Sequence, residues 1–96
     1  MHASVWTFRG DPGQLLRSYD AIAAEIQPGV ALHVCMRMPD GIVFVDTCPD
    51  RDAFTRFVAS DDFRALRERH GLPDPERIDD YPVHAAIVEG ARVGTA

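Results

Sequence analysis

Residues 31–50, ALHVCMRMPDGIVFVDTCPD, decide the fold of this chain, because they combine two strand-like segments with a tight turn between them. In the first segment every second residue is apolar, and the residues between are His33, Cys35 and Arg37. Successive side chains of a strand point to opposite faces of a sheet, so these three share one face. That face meets either water or a pocket, and a pocket would make it a functional site.

The turn of this hairpin, Pro39-Asp40-Gly41, leaves the pairing of the two strands open. A three-residue turn would place Thr47 opposite His33, whereas a two-residue turn would place Asp46 there. Turn chemistry favours the first register, and the gathering of polar side chains on one face favours the second. In either case we expect the helices to cover the apolar set, which is Leu32, Val34, Met36 and Met38.

The segments around the hairpin complete the order βαββαβ. The predicted elements are a strand over 4–9, a helix that Asp11 caps and Pro28 ends, strands over 30–38 and 42–47, a second helix between Asp50 and Gly71 with a restart at Ser60, and a last strand over 81–90. This order is typical of an α+β, ferredoxin-like fold, a four-stranded antiparallel sheet with both helices on one face. We predict one domain over residues 1–96, with its core over about 3–90 and a short C-terminal tail.

The composition excludes several partners and chemistries. A formal net charge of −5 argues against nucleic acid and anionic membranes as partners. All ten basic residues are arginine, so Schiff-base chemistry on a lysine is excluded. No apolar run approaches the ~20 residues that span a bilayer, and the first residues lack the pattern of a signal peptide. We therefore predict a cytoplasmic protein with no membrane partner.

The cysteines and histidines do not predict a metal site. Cys35 and Cys48 are too few for a metal motif and, in a chain without an export signal, are expected to be reduced thiols. The four histidines, His2, His33, His70 and His84, show no metal-ligand spacing on any one element.

The predicted fold leaves one sheet face without a helix layer. Two short helices cover a single face, and a bare apolar face of several hundred Å² needs a cover. Packing two sheets around a shared interior would provide that cover, so we predict a homodimer.

Two quoted segments carry a resemblance to a known family. Residues 41–66, GIVFVDTCPDRDAFTRFVASDDFRAL, contain a strand, an acidic residue, a helix and an S-x-x-F restart, and residues 81–88, YPVHAAIV, look like a closing strand. In these features the chain resembles the dimeric α+β barrel superfamily, in particular its antibiotic-biosynthesis-monooxygenase-like members. The resemblance covers nearly the whole chain and implies a dimeric barrel of two ferredoxin-like units.

The same resemblance implies a range of activities. The superfamily includes cofactor-free oxygenases of polycyclic aromatics, haem-degrading enzymes, lyases, cyclases and proteins without known activity. Members often carry an aromatic residue where Cys48 stands and a histidine on the second helix near Phe57. Here that helix has no histidine before His70, which argues against haem degradation, and we predict that the protein uses no cofactor.

The candidate site residues follow from the strand faces. Because an imidazole titrates near neutral pH, His33 suits general acid/base work, and the permanent charge of Arg37 suits an anion that develops during reaction. Trp6 and Phe8 share a strand face and suit a wall for a flat ligand. We predict His33 and Arg37 as catalytic residues, and Trp6, Phe8, Cys35, Phe44, Asp46 and His84 as ligand-binding residues.

Three functions fit these residues. The first is a cofactor-independent monooxygenase or cyclase for a hydrophobic, aromatic or polyketide-like small molecule. The second is a non-catalytic ligand-binding or scaffold dimer, in which His33 and Arg37 are a satisfied polar pair and Trp6 and Cys35 are core residues. The third is a ligand-sensing subunit of a larger enzyme, which the sequence does not separate from the other two.

Overall fold

The computed structural model describes residues 1–25 and 32–93. Its elements, in chain order, are β1 (His2–Arg9), α1 (Pro12–Ala23), β2 (His33–Met38), β3 (Gly41–Cys48), α2 (Arg51–Val58), α3 (Asp61–His70), β4 (Arg77–Pro82), β5 (Ile87–Val88) and β6 (Ala91–Arg92). The predicted helix end at Pro28 and the predicted strand start at residue 30 lie outside the described residues.

The first four strands form one antiparallel sheet in the order β2-β3-β1-β4. The strands that are adjacent in sequence, β2 and β3, form a hairpin, whereas β1 lies between β3 and β4. This is the strand order of a ferredoxin-like fold, and it confirms the predicted α+β class. No helix within residues 1–25 and 32–93 is long and apolar enough to cross a membrane.

Local capping explains where the helices begin and end. Asp11 accepts a hydrogen bond from the Gln14 backbone N–H at 2.9 Å, and Asp50 does the same for the Ala53 N–H at 2.8 Å. Ser60 caps α3, which confirms the predicted restart between α2 and α3. Gly71 ends α3 in the left-handed conformation, at a φ of 74°, where a residue without Cβ is favoured.

The β2–β3 hairpin has the shorter of the two turns that the sequence allowed. Met38 pairs with Gly41, so only Pro39 and Asp40 form the turn, and Asp46 lies opposite His33. The three-residue turn that its chemistry favoured is therefore not formed. A proline at the first turn position fixes φ near −65°, which is compatible with a type I turn.

Gly41 is required by packing against β1 and not by a left-handed turn conformation. A Cβ at this position would overlap the carbonyl oxygen of Phe8 and would lie 3.2 Å from the Cα of Arg9. Gly41 pairs with Arg9 and is itself buried, so the end of β3 approaches the β1 backbone more closely than any side chain allows. This contact fixes the hairpin against the neighbouring strand.

The two faces of β2 are the reverse of the expectation. The face that meets the helices carries His33 and Cys35, whereas Val34 and Met36 lie on the other face and are 40% and 45% exposed. The reason is the register, because His33 and Cys35 pair with Asp46 and Phe44, whose face packs against α1. Leu32 and Met38, which we also assigned to the helix side, follow the same alternation as Val34 and Met36.

The last sheet strand is also displaced from its predicted position. It spans Arg77–Pro82, and the apolar residues after it form the separate two-stranded hairpin of β5 and β6. Glu89 and Gly90 make the tight turn of this hairpin at positive φ. The predicted position of this strand was wrong because β4 contains Asp79 and Asp80, and aspartate is depleted in strands.

The core lies between the inner face of the sheet and the helices. Its buried apolar residues are Trp6, Phe8, Leu15, Ile22, Ile42, Phe44, Phe63 and Leu72. Trp6 and Phe8 come from alternate positions of β1, and Leu15 and Ile22 come from one stripe of α1, as the strand and helix periodicities predict.

We expect Gly41→Ala to lower the free energy of unfolding by about 1–3 kcal/mol, because the added Cβ forces β3 away from the Phe8 carbonyl. Gly13→Ala is the matched control. A Cβ there would meet only ordinary contacts at 3.5 and 3.6 Å, and in helix α1 alanine should stabilise by about 0.5–1 kcal/mol. Urea unfolding followed by circular dichroism measures both, and equal stabilities of the two variants would contradict the role of Gly41.

Candidate functional site

Three polar side chains from three different elements meet between the sheet and helix α1. The hydroxyl of Tyr19, on α1, is hydrogen-bonded to Nε2 of His33, on β2. The other ring nitrogen, Nδ1, lies 3.4 Å from Oδ1 of Asp46, on β3. The three residues form a continuous chain, Tyr19–His33–Asp46, with the imidazole in the middle.

Each member of this chain is placed by a simple structural rule. His33 and Asp46 are partners in the hairpin register, so their side chains lie side by side on one face. Tyr19 belongs to the stripe of α1 that packs on the sheet, one turn from Leu15 and Ile22 on the buried side of the helix. Asp46 is oriented further because its Oδ1 accepts the Thr47 backbone N–H at 3.0 Å.

The surroundings of the imidazole are aromatic. The ring of Phe44 lies 5.4 Å from that of His33 and 6.0 Å from that of Tyr19, and the Tyr19 and His33 rings are nearly parallel, 5.8 Å apart. The side chains of His33 and Asp46 are 26% and 23% exposed, so the chain is half-buried and open to solvent at one side.

Burial sets the protonation of the groups around the imidazole. Burial raises the pKa of Tyr19, and nearby Cys35, Asp20 and Asp46 raise it further when they are ionised. Burial, with the charge of Asp20, likewise raises the pKa of the Cys35 thiol. At neutral pH Tyr19 is therefore a protonated hydroxyl, and Cys35 is a thiol and a weak nucleophile.

The Tyr19 hydroxyl can donate its proton to Nε2 of His33. In that arrangement the proton of a neutral imidazole lies on Nδ1, on the side of Asp46. A carboxylate at that position orients a histidine and stabilises its protonated form.

Trp6 and Phe8 lie on the same inner face as His33 but deeper in the core. Trp6 is 2% exposed, and its indole N–H donates to the Ser4 hydroxyl at 2.9 Å. Its ring stacks on Phe44 at 5.5 Å, which connects it to the site through one residue. Phe8 is fully buried. Both rings pack against Phe44 on the core side of the site.

Arg37 and His84 are placed apart from the imidazole. Arg37 shares the inner face with His33, but it lies four residues along β2, or about 13 Å, and is exposed. His84 is exposed beyond the end of β4, because the strand to which it was assigned ends at Pro82. The structure therefore groups Cys35, Phe44 and Asp46 around His33 and leaves Arg37 at the far end of the face.

Tyr19 and a second polar pair were not predicted from the sequence. Tyr19 lies in the apolar stripe of α1, where helical spacing gives no sign that its phenol has a hydrogen-bond partner. His2 is buried, and its Nε2 lies 2.6 Å from Oδ1 of Asp80, with Arg51 Nε 3.7 Å from the same oxygen. The sequence pattern gave no signal for this pair, because both residues fell outside the predicted strands.

No group of three or more metal-ligating side chains is present within residues 1–25 and 32–93. The two cysteines are free thiols. The fold and the site together define an α+β, ferredoxin-like protein with a histidine held between its sheet and its first helix.

Two solved structures that are similar to this chain are crystal structures of SnoaB, a cofactor-independent oxygenase from Streptomyces nogalater. One of them is an asparagine-to-alanine variant. Both alignments cover 92% of this chain and 95% of SnoaB, with a TM-score of 0.60, at 22% sequence identity for SnoaB itself and 20% for the variant. No protein-family model and no curated protein matches the chain. The similarity confirms the predicted resemblance in fold, and at this identity the fold is what the two proteins share.

We expect the protein to lose stability as the pH rises above about 10, the ordinary range of tyrosine. The folded-state pKa of Tyr19 is raised, so its contribution is fully present below the unfolded-state pKa and is lost as the pH rises through the folded-state pKa. Tyr19→Phe should reduce this loss. Urea midpoints of both proteins at about pH 8 and pH 11 measure the difference. A parallel loss in the two proteins would show that Tyr19 ionises freely.

Proposed function

We propose that this protein is a homodimeric, cofactor-independent monooxygenase that binds an aromatic, polyketide-like small molecule on the inner face of its sheet. The chain Tyr19–His33–Asp46 is the observation that carries this proposal. An imidazole held between a carboxylate and a hydroxyl, against the ring of Phe44, is suited to abstract a proton from an aromatic ligand. The fold shared with SnoaB, a cofactor-independent oxygenase, supports the same class of reaction.

The chemistry requires a substrate that can supply its own electrons to dioxygen. In an enolisable polycyclic ketone, Nε2 of His33 takes the proton and leaves a delocalised carbanion or phenolate. Dioxygen then oxidises the methylene carbon to a carbonyl, so that one oxygen atom enters the product and the other leaves as water. The four electrons that dioxygen accepts come from that carbon, and Asp46 stabilises the imidazolium in the meantime.

Arg37 is proposed to stabilise the anion at a distance from the abstracted proton. His33 and Arg37 are about 13 Å apart along β2, so one ligand contacts both only if it has several fused rings or if the long arginine side chain folds back. A delocalised anion of that size carries part of its charge far from the acidic carbon. The separation of the two residues therefore favours a polycyclic substrate over a single ring.

A cyclase would use the same base and the same anion. In that case the carbanion attacks a carbonyl carbon within the ligand, and no dioxygen is consumed. The alternative without catalysis is a ligand-binding or scaffold dimer. It is favoured by the contacts that both imidazole nitrogens already make and by the close packing of Trp6 and Phe8 beneath the imidazole, because such networks also occur as structural features.

The homodimer is proposed to form through the outer face of the sheet. Val34 and Met36 are exposed there, and the half-buried Val5, Val43 and Val45 continue the apolar surface across β3 and β1. No helix of the described residues covers this face, and contiguous apolar surface of this kind marks an interface. Two copies packed sheet to sheet would remove it from water. The two free cysteines support the cytoplasm as its location.

His33→Gln should lower turnover by about 10²–10⁴-fold, because glutamine keeps polarity but cannot accept the proton. The measurement is dioxygen uptake with polyhydroxylated tricyclic ketones as substrates. His84→Gln is the matched control, since His84 is exposed and distant from the chain Tyr19–His33–Asp46. Equal turnover of wild type and His33→Gln would refute the proposed mechanism, and product formation without dioxygen uptake would indicate the cyclase.

Met36→Glu should convert the dimer to a monomer, because two sheets cannot pack with a buried charge between them. Light scattering across a dilution series should give about 21 kDa for the wild type, twice the chain mass of 10.6 kDa, and the chain mass for the variant. Val58→Glu is the control, since Val58 has a similar exposure of 43% but lies on helix α2. A wild type that is monomeric at all concentrations would exclude the barrel assembly.

A further inference from the structure

The nitrogen that the proposed reaction needs as a base is already engaged in this structure. Nε2 of His33 is hydrogen-bonded to the hydroxyl of Tyr19, while Nδ1 faces Asp46. A substrate proton can reach Nε2 only if the tyrosine hydroxyl leaves it. The Tyr19 hydroxyl and the reacting group of the substrate would occupy the same position at Nε2.

We propose that the Tyr19 hydroxyl occupies the position that a hydroxyl group of the ligand takes when the ligand binds. The ligand is a phenol or an enol, and its hydroxyl displaces that of Tyr19 from Nε2 of His33. Tyr19 is thereby a positioning residue, which holds the imidazole in the Nδ1–H tautomer until the ligand arrives. This inference rests on the proposed function for its site, and it narrows the ligand to hydroxylated aromatics. It does not depend on turnover.

The geometry supports the substitution of one phenol for another. The Tyr19 ring is nearly parallel to the His33 ring and contacts Phe44, so an aromatic ring with its hydroxyl at Nε2 already fits this environment. The side chains of His33 and Asp46 are 26% and 23% exposed, so the imidazole keeps some contact with solvent. For a ligand ring to take this position, the Tyr19 side chain has to leave it.

The charges around the imidazole favour the same assignment. The groups that face it or its partners are Tyr19 and Asp20 from α1, Cys35 from its own strand and Asp46 from β3. Burial and these negative charges raise the pKa of Tyr19, which keeps it a donor at neutral pH. An arriving phenol or enol is a donor of the same kind, so it satisfies Nε2 as Tyr19 does, whereas an ether of the same shape cannot.

The first test measures the tautomer of the His33 imidazole. Nitrogen-15 NMR of the protein at about pH 8, where an ordinary imidazole is neutral, should show His33 as the Nδ1–H tautomer. Tyr19→Phe keeps the ring and removes the donor, so His33 should become a mixture of tautomers. Tyr81→Phe changes the chain's other tyrosine, which is 65% exposed, and should leave the tautomer unchanged. An Nε2–H tautomer in the wild type, or no response to Tyr19→Phe, would overturn the proposal.

The second test compares two probes that differ only in the hydroxyl, 4-methylphenol and 4-methylanisole, by isothermal titration calorimetry at about pH 8, where this phenol is still protonated. The phenol should bind Tyr19→Phe about fivefold more tightly than the wild type, because it no longer has to displace one hydrogen bond. The ether should bind both proteins equally. An equal response of the two probes, or no binding of the phenol to either protein, would show that no ligand hydroxyl takes the place of Tyr19.

These outcomes are separate from those that test the oxygenase. The tautomer and the two affinities are measured without dioxygen uptake or product. They can fail while His33→Gln still abolishes turnover. In that case the proposed oxygenase is supported, and the displacement of Tyr19 by a ligand hydroxyl is wrong. They can also hold while His33→Gln leaves turnover unchanged, which would leave a phenol-binding protein with a different mechanism.

Discussion

The register of the β2–β3 hairpin is the constraint on which the rest of this structure depends. Gly41 fits directly against the Phe8 carbonyl, and this contact holds β3 in one position relative to β1. With β3 fixed, the two-residue turn sets His33 opposite Asp46. Because side chains alternate with a period of two, a shift of one residue would exchange every side chain of β2 between the faces of the sheet.

That register divides the sheet into two functional surfaces. The inner face holds polar side chains among aromatic ones, which is tolerable only because they satisfy each other. A buried donor or acceptor without a partner costs about 1–3 kcal/mol, and the chain Tyr19–His33–Asp46 avoids that cost for each member. The outer face receives Val34 and Met36, which remain exposed in a single copy. The proposed site and the proposed dimer interface thus have one geometric origin.

The similarity to SnoaB extends over almost the full length of both chains, yet a shared fold does not by itself assign a reaction. The site must carry that argument. Of the residues predicted from the sequence, Cys35, Phe44 and Asp46 do surround His33, and their roles toward a ligand stay predictions. Trp6 and Phe8 pack beneath the site, and Arg37 lies at its far end. His84 is separated from the site because β4 ends before it.

The sequence by itself determined the features that depend on neighbours within one or two turns of chain. The caps at Asp11, Asp50 and Ser60, the left-handed Gly71 and the alternation along β2 all belong to this kind. Only the tertiary structure decided the register of the β2–β3 hairpin, which face of β2 meets the helices, and the hydrogen bond between Tyr19 and His33. Those depend on contacts between segments far apart in the chain, such as Gly41 with Phe8, whose geometry no local pattern of residues encodes.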